Sequence, residues 1–355
     1  MRHEFLWGLE QTGCTNAKTG WQPCHALVRK GKAGPAIGLL PLYLKSHSYG
    51  EYVFDWAWAD AWQRSGLAYY PKLVSAIPFT PATGPRLCLA PGYTKEDVWP
   101  TVVAAIANFA EEKQLSGWHL LFPEGEEATL LERAGLHLRT ATQFHWFNQD
   151  FGCFDDFLAT FSSRKRKNLR RERSRVRQQG ITLQTLCGAE IGEQHWQQFY
   201  RFYRATYAKR SGHGGYLSRE FFTQTAASMG DQVIMVLAQL NELTVAGALF
   251  FRSQDTLYGR YWGCEREYDC LHFEACYYQG IEYCIANGLK KFDPGAQGEH
   301  KIQRGFRPVK TFSNHWIADP RFSQAIADFT RQERAHIEQY MAHTTAMLPF
   351  KADNN

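Results

Sequence analysis

No stretch of this chain approaches the ~18 consecutive apolar residues of a membrane-spanning helix. No two cysteines stand at the Cys-x-x-Cys spacing of a zinc knuckle, and no His-x-x-x-His pair occurs. No lysine follows a Gly-rich loop in the P-loop manner, and no Gly-x-Ser-x-Gly elbow is present. Nucleotide hydrolysis of that type and elbow-type serine hydrolysis therefore lose their signatures. A Cys–His hydrolase, by contrast, cannot be read from spacing. The opening Met1-Arg2-His3-Glu4-Phe5 lacks the apolar run of a signal peptide. With nine cysteines, an odd number, the expected setting is a reducing cytoplasm with free thiols. Cys264, Cys270, Cys276 and Cys284 crowd together, with His272 four residues before Cys276. Packed core thiols rather than a metal site are expected there.

What the chain does have is bulk and local charge. Its 355 residues suit two domains of roughly 150–200 residues, and a boundary near residue 150 is expected: 1–150, then 151–355. Hydrophobic content of 44% with 15% aromatics is ample for two cores. A net charge of +5 is too modest for a nonspecific polyanion binder, so the distribution of charge carries the information.

Both halves share a spacing. Gly38 precedes Tyr49 by eleven residues, as Gly247 precedes Tyr258, and the pairs Tyr69-Tyr70 and Tyr277-Tyr278 follow. Copies 209 residues apart point to a duplicated domain rather than a solenoid. In the second half Val233–Leu240, Thr244–Phe251 and Thr256–Gly263 read as strands joined by turns. Phe273–Asn287 then reads as a helix, and Lys291-Phe292-Asp293 as a returning strand. Earlier, Lys95–Gln114 and Glu124–Ala134 have helical spacing, while Trp118–Phe122 and Phe144–Phe147 read as strands. A long amphipathic helix is expected from Phe322 to His343. Meander, helix and returning strand make an α/β architecture with mostly antiparallel sheets.

Three segments carry chemistry. Arg164 to Arg177 holds nine bases and one acid, and helical geometry puts Arg166, Arg170, Arg173 and Arg177 on one face, with Lys167 and Arg171 beside it. A merely solvated helix mixes signs, and Arg forks suit phosphate oxygens. A phosphate-bearing partner is therefore expected; an anionic membrane surface and a plain surface helix are the competing readings. The tract from Tyr49 to Trp62 alternates Tyr52, Phe54, Trp56 and Trp58, as one aromatic face of a strand would. That face either packs on helices or walls an acceptor pocket, to which Tyr261 is also assigned. Asp55 and Asp60 are then candidates to take a proton from an incoming amine.

The third segment, Phe292-Asp293-Pro294-Gly295-Ala296-Gln297-Gly298-Glu299-His300-Lys301-Ile302-Gln303-Arg304-Gly305-Phe306, gathers glycines, an acid, a histidine and bases. Such loops let backbone approach a ligand while offering a base and a proton carrier. Glu299 or His300 is the expected base. Arg166, Lys167, Arg170 and Arg171 would hold donor phosphates, assisted by Lys301 and Arg304. His272 and Glu274 read equally as helix-start residues.

The run Tyr43 to Ala61, together with His272-Phe273-Glu274 and the loop from Pro294 to Phe306, resembles the bacterial FemAB-like predicted N-acyltransferases, often labelled peptidoglycan-biosynthesis proteins. The resemblance covers nearly the whole chain. Members usually carry an additional segment before the Phe5-Leu6 region, so part of the first strand is expected to be missing. It implies an α/β fold of two tandem GNAT-like domains with mixed, mostly antiparallel sheets flanked by helices. It also implies acyl or aminoacyl transfer to an amine with no permanently bound cofactor. Fem ligases draw on aminoacyl-tRNA and ordinary GNAT enzymes on acyl-CoA. The residues Gly263 to His272 depart from the Arg/Gln-x-x-Gly-x-Gly/Ala loop with which GNAT enzymes hold the CoA pyrophosphate. The spacing of Phe292, Asp293, Gln297 and His300 is also loosely similar to the leucyl/phenylalanyl-tRNA–protein transferases. The expected function is an N-acyltransferase acting on an amine, with a peptidoglycan precursor or a peptide among the acceptors. Its alternative is a non-catalytic RNA-binding or scaffold protein that uses the basic helix.

Overall fold

A computed structural model describes residues 1–351 apart from Gln297. Two compact units emerge. One comprises Met1–Thr142 with Lys310–Met341, and the other Gln143–Val309 with the stretch from Ala342 on. The path of the chain thus leaves the first unit near residue 142 and returns to it at Lys310.

In the first unit the sheet runs in the order Trp21–Pro23, Tyr43–Lys45, Lys72–Ser75, Gly117–Leu121 and Arg307–Ile317. Neighbours are antiparallel except Lys72–Ser75 against Gly117–Leu121, which are parallel. A small antiparallel sheet of Ala26–Arg29, Ala36–Leu40 and Cys88–Leu89 accompanies it. Helix Lys95–Glu112 supplies Val98, Trp99, Val102, Val103, Ile106 and Ala110, whose three- and four-residue spacing makes one apolar stripe. The stripe buries against Leu73, Trp118 and Leu120 of the sheet.

In the second unit Ile181–Cys187, Val233–Leu240, Leu243–Arg252 and Thr256–Cys264 form an antiparallel meander. Lys291–Asp293 adds to it in parallel and pairs in turn with the end of His137–Phe147. Both faces of Val233–Leu240 and Leu243–Arg252 are largely buried, which explains their nearly unbroken apolar runs. The strands and helices expected from periodicity are present, with ends shifted by a few residues.

Two sequence expectations fail. The aromatic tract is not a strand. Residues 49–54 form an irregular turn in which Gly50 (φ +83°) and Tyr52 (φ +61°) are left-handed, and Trp56–Arg64 is a helix. Its inward residues are Trp58 and Trp62, four apart, so the helical period prevails over the alternation. The eleven-residue repeat also falls on unlike elements. Gly38 lies in the small sheet and Tyr49-Gly50 in a turn, whereas Gly247 and Tyr258-Gly259 lie within strands of the large meander. A glycine before an aromatic suits both settings, so the matching letters mark no structural equivalence.

Candidate active site

The strand Thr256–Cys264 pairs with Lys291–Asp293 only over Thr256–Tyr258 and then runs on to Cys264. A cavity of about 600 Å³ is lined by the last residues of that strand, Trp262 and Cys264, which stay paired with Leu243–Arg252 but lie beyond the pairing with Lys291–Asp293. Arg210 and Lys209 line it from helix Glu193–Ser211, and His272 and Phe273 from the following helix. That helix is continuous from Leu271 to Ala286 but widens into a π-turn at Glu274–Tyr278. Such turns are frequent at functional sites because they re-aim side chains. Here Glu274 faces Arg173, Tyr277 faces His300, and Tyr278 faces Glu172.

His300 sits on a short turn, Glu299–Arg304. Its ring touches His272 and Phe273 at 6.1 and 5.7 Å between centroids, so it adjoins the cavity wall. Tyr277 Oη lies 2.8 Å from His300 Nε2. Gly298 (φ +111°) is required below the ring, since a Cβ there would stand 2.2 Å from His300 Cε1. Burial, with Arg304 and Lys301 nearby, lowers the His300 pKa to about 4. His272 falls to about 3, chiefly by burial. Both imidazoles are neutral at pH 7.

Beneath the loop, Asp293 is fully enclosed and binds Arg260 at 2.8 Å and the Gly295 N–H at 2.9 Å. Burial pushes its carboxyl up, but Arg260, His145 and that N–H together hold it below the ordinary carboxylate value. Lys301 Nζ donates to Gly295 O at 2.7 Å, and burial lowers its pKa to about 8. Asp293 and Lys301 thus clamp both sides of Gly295.

A family model for FemAB-like proteins, described as peptidoglycan biosynthesis/recognition, matches residues 1–352. The chain belongs to the FemAB-like family. Solved structures share the fold of this FemAB-like chain at low identity. L-PGS from Bacillus licheniformis aligns with a TM-score of 0.54 at 12% identity, over 93% of this chain and 96% of that one. FemX aligns at 0.53 and 12%, over 92% and 93%. The C-terminal domain of a putative lysylphosphatidylglycerol synthetase from Agrobacterium fabrum aligns at 0.55 and 9%, over 92% and 96%. No curated protein matches the chain. The fold is α/β, two units of mixed, mostly antiparallel strands flanked by helices, and it is shared with those structures.

In this FemAB-like chain the basic helix, Ser163–Gln178, divides its charges differently from the expected single face. Arg173 turns inward, with ion pairs at 2.8 Å to Glu274 and 2.7 Å to Glu282. Arg170 pairs with Asp155 and Arg175 with Asp269, each at 3.0 Å, while Lys165 meets Gln303. Among the described residues Arg164, Arg166, Lys167, Arg171 and Arg177 make no ion pair or side-chain hydrogen bond. Leu169 and Val176 dock the helix, and Arg164, Lys167 and Arg171 lie on the opposite side by the 100° rotation per residue. Two assisting bases are committed elsewhere. Arg304 is buried, pairs with Glu172 at 2.7 Å and lies 3.4 Å over the Phe273 ring; Lys301 is the buried clamp. Glu299 precedes His300 on the same short turn, the His300 ring lies against His272 and Phe273 of the cavity wall, and Gln297 lies outside the described residues.

The other candidates belong to different settings. Asp60 is exposed and pairs with Arg64 at 3.1 Å. Trp56 is exposed, while Trp58 is buried edge-on to His315 at 4.9 Å beneath Arg139. Tyr52 is half-buried in its turn, and Tyr261 packs in the second unit's core against Tyr203 and Phe222.

Asp55 belongs to a buried network in the first unit that the sequence did not announce. Lys72 Nζ donates to Ser48 Oγ and Glu51 Oε2 at 2.8 Å each, and to Asp55. The Tyr69 hydroxyl donates to Asp55 at 2.6 Å and accepts from His119 Nε2 at 3.2 Å. His119 Nδ1 must then accept from His315 Nδ1, and His315 Nε2 accepts from Ser313 Oγ at 2.8 Å. Each member donates to the next, a sequence that holds only with both imidazoles neutral. Burial drives both histidines well below their usual pKa, and it raises Glu51 to about 7.

These shifts fix a pH dependence. Below about pH 6.5 an unfolded chain protonates its histidines, whereas His119, His315, His145 and His272 stay neutral when folded. Their stabilisation is present above that pH and is lost as pH falls. Glu51, with its raised value, opposes the trend for one proton between about pH 4.5 and 7. The urea midpoint is expected to drop steadily from pH 7 to 5; a flat or rising midpoint would contradict the neutral-imidazole assignment.

Proposed function

We propose that this FemAB-like chain is an N-acyltransferase that moves an acyl or aminoacyl group from a phosphate-bearing donor to an amine. Aminoacyl-tRNA and acyl-CoA are the donor classes, and peptidoglycan precursors or peptides the acceptor class. The observation that carries the reading is the divided helix. Acids satisfy the bases that anchor it, yet Arg166, Lys167 and Arg171 keep unneutralised charge, while Arg175 of the same helix pairs with Asp269 in the lining of the 600 Å³ cavity. Like charges repel along a helix, so retaining them costs stability unless an anion is bound. Chemically, an amine must shed a proton while it attacks, and the acyl oxygen then needs donors. Glu299, exposed beside His300, serves as the proton acceptor; Asp55, whose Oδ2 accepts from both Lys72 and Tyr69, holds the fold of its own unit.

Equilibrium binding of charged tRNA, uncharged tRNA and acetyl-CoA over a salt series tests the donor. Preference for charged tRNA with a steep salt slope supports an aminoacyl donor, and tight, shallowly salt-dependent acetyl-CoA binding supports a thioester. Binding of none of the three would sink the proposal. For the base, Glu299→Gln is expected to lower turnover about 10²–10⁴-fold while donor affinity changes little. Equal turnover in the variant would remove Glu299 from the mechanism.

A further inference from the structure

We propose that His300 presents an N–H, not a lone pair, to the reacting acyl group, and that Tyr277 is the positioning residue that fixes this tautomer. The inference rests on the transferase reading for its substrate but on hydrogen-bond accounting for its geometry. Tyr277 is buried at 4% exposure, and among the described residues its hydroxyl has one hydrogen-bond partner, His300 Nε2 at 2.8 Å. A buried hydroxyl proton without an acceptor is costly, whereas an imidazole edge that reaches solvent can be satisfied either way. Tyr277 therefore donates, Nε2 accepts, and the ring proton resides on Nδ1.

The surroundings reinforce that state. Burial keeps the Tyr277 phenol protonated far above neutral pH. The lowered value of His300 keeps the ring uncharged, so Nδ1–H is a neutral donor throughout the physiological range. Gly298 allows the ring to lie against the backbone, and Arg304 Nη1 holds the His300 carbonyl at 2.7 Å. The π-turn is what aims Tyr277 at this ring. In the reaction, the amine nitrogen bonds to the acyl carbon while the carbonyl π pair moves onto oxygen, where Nδ1–H donates to it. Glu299 takes the ammonium proton. The oxyanion then reforms the carbonyl, the bond to the donor's ribose oxygen or thiol sulfur breaks, and the Glu299 proton passes to that leaving group.

Long-range proton–nitrogen NMR of the full chain labelled with [15N]histidine reads the tautomer directly, with His300→Asn identifying the signal. The expected pattern is a neutral ring with a protonated Nδ1 between pH 5.5 and 8, turning in Tyr277→Phe to a mixture or to the Nε2-protonated form. A wild-type ring protonated on Nε2, or an imidazolium at pH 7, overturns the proposal. Transfer assays with aminoacyl-tRNA and acetyl-CoA supply the second arm. His300→Asn keeps an N–H close to Nδ1 and is expected to stay within about tenfold of wild type, while His300→Ala loses about 10²–10³-fold. Equal losses in both overturn the donor role. If the unaltered protein transfers from neither donor, the transferase reading falls and the NMR result still decides the tautomer.

Discussion

Replacing Lys72 by methionine is expected to remove about 3–5 kcal/mol of folding stability. The side chain is fully buried and contacts two carboxylates that are themselves buried, Glu51 and Asp55. Among the described residues Glu51 Oε1 and Asp55 Oδ1 already lack hydrogen-bond partners, so the network has no spare donor to offer in compensation. Lys45 cannot take over, because it stands 3.9 Å from Glu51 and spends its charge over the Trp21 ring at 3.7 Å. Two acids would be left enclosed, and one or both must protonate for the unit to fold. The stability of Lys72→Met should therefore recover partly on acidification toward pH 5. Combining it with Glu51→Gln and Asp55→Asn should restore most of the loss, since neutral groups of similar shape need no counter-charge. Urea unfolding of the single and triple variants checks this. A single-variant loss under about 1 kcal/mol would show that the pairs are worth no more than exposed ones.

A second large contrast is expected within one helix. Arg173→Ala should cost about 3 kcal/mol of stability, because Glu274, only 5% exposed, loses its counter-ion. The triple variant Arg166→Ala/Lys167→Ala/Arg171→Ala should fold with near-normal stability, since none of the three is paired. Donor binding should show the reverse order. Three lost charge-assisted contacts at about 1 kcal/mol each weaken binding roughly a hundredfold. With tRNA the salt slope should also fall by about three. Unchanged donor affinity in the triple variant would leave the free cations without a role in the reaction.

Periodicity revealed the elements that bury one continuous face. Val233–Leu240, Leu243–Arg252 and helix Lys95–Glu112 could be read directly because solvent exclusion writes their spacing into the chain. Trp56–Arg64 misled because tryptophans at 56 and 58 satisfy a strand's alternation while those at 58 and 62 satisfy a helix. Asp55 and His300 were legible as candidates, but their partners were not. Lys72, His119 and His315 reach Asp55 across 17 to 196 residues of separation along the network, and no local pattern encodes such a meeting. Tyr277 was visible as half of an aromatic pair and as a residue of the expected helix, but not as a partner of His300, since the extra residue of a π-turn leaves no mark in composition.

The return of the chain at Lys310 sets an order for maturation on the ribosome. Gly117–Leu121 waits for Ser313–Ile317 as its antiparallel neighbour, and His119 waits for His315. The first part of the protein to be synthesised is thus the last to be completed. The meander from Ile181 to Cys264, whose strands are close in sequence, can close while residues beyond 310 are still being added. A fragment ending near residue 142 would carry an unpaired strand edge and an unmatched buried imidazole, and should aggregate rather than behave as a separable domain.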